Sequence, residues 1–249
     1  MTSPPKIALL HGWATDPAIW NSTRESLEIR GFNVTVYTMP GYGLRKNDSG
    51  AKTLEQLVDD AIDRLAGHDI WIGWSLGAMI SLEAAARIPA AMRTVVAVCG
   101  TAKFCCDQEK TDSLDRLNEA IRSHPEKAVK RFLRSMPKVE NRRLVARSAP
   151  SPNKDDPVAG SETLLSGLEI LKRADLTSEV NKISVPVGLI SGEDDPIIPA
   201  TSGRALHQRI PNSTFTALPC GHVPFLECGP LFLEHIVEFT QTVAESAAS

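Results

Sequence analysis

The chain has 249 residues, 42% hydrophobic and 23% charged, with a formal net charge of −3. That is the composition of an ordinary globular protein with enough length to bury a sizeable core, and it excludes a low-complexity or disordered class. Five cysteines, an odd number without metal-ligand spacing, argue against a disulfide framework and against a metal centre.

The first residues, Met1 to Lys6, lack the basic and apolar regions of a secretory signal. No apolar run approaches the length that crosses a membrane. Together with the cysteine usage, this sets the expectation of a reduced, cytoplasmic protein without a membrane partner. The first predicted strand is Ile7–Leu10, followed at once by His11-Gly12-Trp13, and the second is Asn33–Tyr37, followed by Pro40-Gly41-Tyr42-Gly43. Leu54, Leu57, Val58, Ala61, Ile62 and Leu65 recur at helical spacing. A third strand, Ile70–Trp74, runs into Gly73-Trp74-Ser75-Leu76-Gly77 and then into a helix-like stretch from Ala78 to Ala86. Thr94–Val98 is the fourth strand. From 102 to 180 helical patterns appear with no convincing strand, interrupted by a Pro150-Ser151-Pro152-Asn153 loop. The strand rhythm returns at Val187–Ser191 and Thr214–Leu218, and Leu231 to Val243 reads as a closing helix.

Strands alternating with helices predict an α/β fold, its mostly parallel sheet covered by helices on both faces. Residues 102–180 are then a helical lid inserted between sheet strands, and 1–101 with 181–249 are the core, the whole forming one folding unit.

The segment around Ser75 is strand, sharp turn and helix, the context in which G-x-S-x-G becomes a nucleophile elbow. A nucleophilic serine needs a base, an acid to orient that base, and donors for the oxyanion. His222, in Cys220-Gly221-His222 just after a strand, is the base by position. Gly192-Glu193-Asp194-Asp195-Pro196 ends another strand and offers two candidate acids, Asp195 and its competitor Asp194. In His11-Gly12-Trp13 the glycine lets the loop turn tightly, so the backbone N–H groups of Trp13 and Leu76 are the candidate oxyanion donors.

The combination resembles the α/β-hydrolase family over nearly the whole chain. More narrowly it resembles the BioH family of pimeloyl-[acyl-carrier protein] methyl ester esterases of biotin synthesis. That likeness is carried by Leu9-Leu10-His11-Gly12-Trp13, Pro40-Gly41-Tyr42-Gly43, Trp71 to Gly77, and Gly167-Leu168-Glu169-Ile170-Leu171-Lys172. The resemblance implies a serine carboxylesterase with triad Ser75, Asp195 and His222, oxyanion positions Trp13 and Leu76, no cofactor, and an acyl-carrier-protein-bound ester as substrate. The chain departs from the family in having Thr38-Met39 before Pro40, where an Asp is usual, and Leu44-Arg45 after the turn, where a small residue is common. The same triad also serves thioesterases, lactonases and carbon–carbon bond hydrolases, and a non-catalytic receptor on this fold is the rival from another class. Haloalkane dehalogenases and epoxide hydrolases are disfavoured because their elbow nucleophile is Asp.

Between Lys127 and Arg147 stand eight cations (Lys127, Lys130, Arg131, Arg134, Lys138, Arg142, Arg143 and Arg147) against one acid, Glu140. This segment carries +7 in a chain of net charge −3, leaving −10 elsewhere, an asymmetry that suits an acidic partner. Lys127, Lys130, Arg131 and Arg134 share one helix face, while Val129, Phe132, Leu133 and Met136 repeat that spacing on another. A basic ridge, Lys127, Arg131, Arg143 and Arg147, is therefore the expected carrier-protein docking surface. Spacing alone reads Phe132, Leu133 and Met136 as core; the esterase reading puts them with Trp13 around the substrate pocket. Nucleic acid is not expected, because no binding motif or interleaved aromatics accompany the charge.

Overall fold

The computed structural model describes residues 4–143 and 159–246. Six parallel strands, β1 (Lys6–Leu10), β2 (Asn33–Tyr37), β3 (Ile70–Trp74), β4 (Thr94–Val98), β5 (Val187–Gly192) and β6 (Ser213–Leu218), form one sheet in the order β2-β1-β3-β4-β5-β6. Each differs from its predicted range by no more than one residue at either end. The inner strands β1, β3, β4 and β5 are short apolar runs buried on both faces, as parallel strands must be when crossover helices cover them, while the edge strands β2 and β6 stay partly exposed.

Alternation along the strands divides the core in two. Ile7, Leu9, Ile70, Ile72, Val96 and Val98 meet Trp20, Leu27 of α1 (Asn21–Ile29), and Phe232 and Ile236 of α9 (Gly229–Ser246). Ala8, Leu10, Trp71, Val95 and Leu189 meet the opposite layer, α2 (Leu54–Arg64) and α3 (Leu76–Arg87). The predicted stripe on α2 is real: Leu54, Leu57, Val58 and Ala61 are buried, and Thr53 caps the helix by accepting from Gln56 N–H. α7 (Ala200–Arg209) and the short α8 (Pro224–Glu227) complete the core. The closing helix α9 begins at Gly229, two residues ahead of its predicted start.

Between β4 and β5 the chain makes α4 (Gln108–Ser123), α5 (Pro125–Ser135) and α6 (Ser161–Arg173). This insertion is pinned at its neck, where Leu176 N–H donates to Ala102 O at 2.8 Å and Lys103 pairs with Asp175 at 2.7 Å. On α5 the faces separate as expected. Val129 and, just past the helix, Met136 are buried, Phe132 and Leu133 half-buried, and Lys127, Arg131 and Arg134 exposed. No helix among the described residues is long and apolar enough to cross a membrane.

The departure at Leu44-Arg45 has a structural reason. Arg45 reaches α2 and grips Asp60 with both guanidinium ends, at 2.6 and 2.8 Å, while its Nε binds Asp48. Tyr37 O–H donates to the same Asp60 carboxylate at 2.6 Å. A bidentate Arg–carboxylate pair is among the better-defined ionic contacts, and here it ties the loop after β2 to the core.

Strand order reverses direction between β1 and β3, and in open α/β sheets ligands bind beyond the carboxyl ends of the strands at such a switch. The loops after β1, β3, β5 and β6 carry His11-Gly12-Trp13, Ser75, Asp195 and His222 respectively.

Candidate active site

Ser75 joins β3 to α3 with φ +57° and ψ −115°, a backbone geometry that a non-glycine residue adopts only where the surroundings enforce it. The enforcement is visible on both sides. A methyl group at Gly73 would stand 2.1 Å from Gly77 O, and one at Gly77 would stand 2.4 Å from Leu10 O, so only glycine lets helix, strand and β1 approach this closely. Ser75 N–H donates to Val98 O at 2.9 Å, fixing the turn to β4. Leu76, the first residue of α3, has a backbone N–H that geometry leaves without an intrahelical acceptor.

His222 Nδ1 lies 2.7 Å from Asp195 Oδ2, and both side chains are fully buried. The other carboxylate oxygen, Oδ1, accepts from Ile197 N–H at 2.8 Å and Ile198 N–H at 2.9 Å, which locks the plane of the carboxylate. An acceptor facing Nδ1 keeps the proton there and leaves Nε2 with a lone pair. Nε2 is buried and has no hydrogen-bond partner among the described residues. Asp194, the competing acid, points elsewhere: it pairs with Lys138 at 2.9 Å with half its side chain exposed.

The imidazole loop is held by three contacts. Trp74 Nε1–H donates to His222 O at 2.7 Å, and His222 N–H donates to Met136 O at 2.9 Å. Glu227 accepts from Gly221 N–H and Val223 N–H, the amides on either side of His222, and from Lys138 N–H and Asn141 Nδ2, all within 3.0 Å. Sequence reading missed Glu227. A carboxylate five residues beyond the histidine, on a one-turn helix among apolar residues, was the available signal.

Cys99, at the end of β4, was also missed. It has φ +47°, and its Sγ, an Asp195 oxygen and a His222 nitrogen lie within 4.8 Å of one another. Among the described residues this is the only cluster with metal-holding spacing. Asp195 and His222 already engage each other, and burial, followed by the Asp195 charge, raises the Cys99 pKa. That keeps the thiol protonated, so the trio suits acid–base chemistry better than metal ligation. All five cysteines are free thiols.

The loop after β1 sits against the nucleophile. A methyl group at Gly12 would lie 3.3 Å from Ser75 Cβ and 3.1 Å from the Trp74 ring. His11 is fully buried, its Nδ1 2.9 Å from Gly12 O and its Nε2 accepting from Met39 N–H at 3.2 Å. Those partners require the neutral imidazole with its proton on Nδ1. Burial holds the His11 pKa at about 4, against 6.5 for an ordinary histidine. The unfolded chain therefore takes up a proton near pH 6.5 that the folded chain refuses until about pH 4, so stability falls as pH drops through that window. The loss is about 3 kcal/mol. Urea melts at pH 7 and pH 4 check this: the wild type should lose about 3 kcal/mol more than His11→Gln over that interval, and equal losses would contradict it.

Trp13 is 2% exposed, and its ring meets Phe132 edge to face at 5.0 Å. Phe132 also lines a groove of about 540 Å³ with Phe104, Leu114, Leu117 and the Pro196-Ile197 turn beside Asp195. Lys110, Arg116 and Arg131 stand along the same groove. Its size and apolar floor suit a small or medium acyl group. Of the expected pocket residues, Trp13 and Phe132 touch; Leu133 packs half-buried between the two cores, and Met136 gives its carbonyl to the His222 loop. Of the expected ridge, Lys127 and Arg131 join Lys130, Arg134 and Arg142 around an open concavity of about 650 Å³. Arg143 is exposed, and Arg147 lies outside the described residues. Two other cations of the segment are committed within the molecule, Lys130 to Glu126 and Lys138 to Glu140 and Asp194.

Comparison with known proteins gives four matches. A family model described as the alpha/beta hydrolase family matches residues 7–234. The chain is 31% identical over 230 residues to the pimeloyl-[acyl-carrier protein] methyl ester esterase of Nitrosomonas europaea, covering 89% of this chain and 90% of that one. It is 33% identical over 246 residues to the protein of the same name from Methylococcus capsulatus, covering 94% of each. Among solved structures it is similar to the enol-lactonase from Burkholderia xenovorans LB400, with a TM-score of 0.83 and 24% identity over 96% of this chain and 92% of that one.

Proposed function

Since the chain belongs to the alpha/beta hydrolase family, we propose that it is a serine carboxylesterase whose substrate is the methyl ester of pimeloyl-[acyl-carrier protein]. One observation carries the chemistry: a buried Asp195–His222 pair at 2.7 Å whose free Nε2 belongs to the same strand-end cluster as the strained Ser75 turn. The substrate rests on the two relatives named above.

In this mechanism His222 Nε2 takes the Ser75 proton as Oγ attacks the ester carbonyl carbon. Asp195 holds the imidazole in the required tautomer and stabilises its cation. The carbonyl oxygen gains charge and is met by the backbone N–H groups of Trp13 and Leu76. The tetrahedral intermediate collapses, the methoxy oxygen leaves with the proton from His222, and methanol departs. Water then gives a proton to His222 as it attacks the acyl-enzyme, and the second tetrahedral intermediate expels Ser75 Oγ, which takes that proton back and leaves the free acid to ionise. Every step is proton transfer or acyl transfer, so the reaction runs on these side chains alone.

Residues 102–180 act as the lid in this reading, with 1–101 and 181–249 as the core. The groove between α4 and α5 takes the acyl chain by length, keeping the carrier's thioester away from Ser75. The exposed cations Lys127, Arg131, Arg134, Arg142 and Arg143 meet the acidic carrier protein, and the setting is the cytoplasm. Complementary charge acts mainly on encounter and orientation, so its loss should appear in KM. Reversing Lys127 and Arg143 together to Glu is expected to raise KM for the carrier-bound ester by roughly tenfold or more. Hydrolysis of a small p-nitrophenyl ester should stay unchanged. Equal loss on both substrates would remove the docking role.

A further inference from the structure

Gly167 to Lys172 is part of the likeness to the esterases, yet none of its residues enters the chemistry above. Its place in the fold suggests a purpose. Helix α6 passes over Trp13, and Leu164 O accepts the indole Nε1–H at 2.9 Å. One turn further on, Gly167 faces the same ring: a methyl group there would stand 2.4 Å from Trp13 Cδ1 and 2.7 Å from Nε1. Phe132 of α5 closes the ring from another side at 5.0 Å. A glycine inside a helix costs about 1 kcal/mol relative to alanine, so a mid-helix glycine pressed against an aromatic ring points to a need for that contact.

Trp13 has little room to yield. Its ring is buried, hydrogen-bonded and met edge to face by Phe132, and its backbone continues into Gly12, which packs against Ser75 and Trp74, and into His11, which Met39 holds. A displacement of the indole is therefore passed to the Trp13 peptide beside the nucleophile.

We propose that Gly167 and the Leu164 carbonyl are positioning groups for catalysis: helix α6 seats the Trp13 indole and thereby sets the Trp13 N–H against the oxyanion. The inference rests on the esterase reading and extends it, because the oxyanion site is complete only while α6 is docked.

The test is Gly167→Ala, with Trp13→Ala and the double variant, assayed on a p-nitrophenyl ester. Misplacing an oxyanion donor by a fraction of an ångström should lower kcat on the order of 10²-fold. KM should stay within about twofold, and the variant should stay folded, because the overpacking cost of about 1–3 kcal/mol is offset in part by the roughly 1 kcal/mol that alanine gains in the helix. Ki for a trifluoromethyl ketone, which forms the tetrahedral adduct, should rise in parallel with the loss in kcat/KM. Alanine lacks the ring atoms that the new methyl group would strike, so Gly167→Ala should cost little more in the Trp13→Ala background. Wild-type kcat in Gly167→Ala, or losses that multiply in the double variant, would overturn the proposal. Activity surviving in Ser75→Ala would instead overturn the esterase reading, which keeps the two failures distinct.

Discussion

Replacing Ser75 by alanine is expected to lower kcat by about 10⁶-fold, to the residual rate that an oxyanion site and binding pocket provide without a nucleophile. The size follows from how the site is built. Without the Ser75 hydroxyl, His222 has no nucleophile to activate in the first acyl transfer, and its loop is tied by Trp74, Met136 and Glu227, so it cannot swing to activate water at another position. Alanine also fits the turn with no greater strain than serine, so the variant should fold and melt like the wild type. Kinetics on a p-nitrophenyl ester with a parallel thermal melt check this. A loss of less than about 10²-fold in a folded variant would mean that Ser75 is not the nucleophile.

Asp195→Asn is expected to cost about 10⁴-fold in kcat, while Asp194→Asn should stay within about twofold of wild type. The difference can be traced atom by atom. Two backbone donors, Ile197 N–H and Ile198 N–H, point at one end of the Asp195 carboxylate and demand an oxygen there. In the asparagine variant the oxygen must occupy that end, so the amide NH₂ faces His222. Nδ1 must then accept, the proton moves to Nε2, and the base can no longer take the Ser75 proton. Asp194 has no part in this geometry; its neutralisation removes a half-exposed ion pair with Lys138, a contact of small worth. Steady-state kinetics of the two variants decide the matter, and the reverse order of damage would refute the assignment.

The inner strands were legible because each is a short apolar run between turn residues, and the edge strands β2 and β6 because β-branched and aromatic residues crowd them. α2 was legible from one stripe, Leu54 to Ala61. Ser75 and His222 could be read from local context alone, since each follows a strand and is flanked by glycine. Asp195 and Asp194 could not be separated that way, because a carboxylate's role is set by what lies opposite it, and His222 is 27 residues away. Glu227 escaped for the same reason, as its partners include Lys138 and Asn141 from the helical insertion. Arg45 looked like a departure from a family pattern until Asp60 appeared across from it. The basic segment was legible as net charge, but charge counting could not show that Lys130 and Lys138 are engaged within the chain.

The most direct test of the central claim is to incubate the protein with pimeloyl-carrier methyl ester, measure methanol, and follow the carrier by mass spectrometry. The expected result is one methanol per carrier with the thioester intact, and none above background with Ser75→Ala. Cleavage of the thioester, or no turnover by a protein that still hydrolyses simple esters, would contradict the proposed substrate.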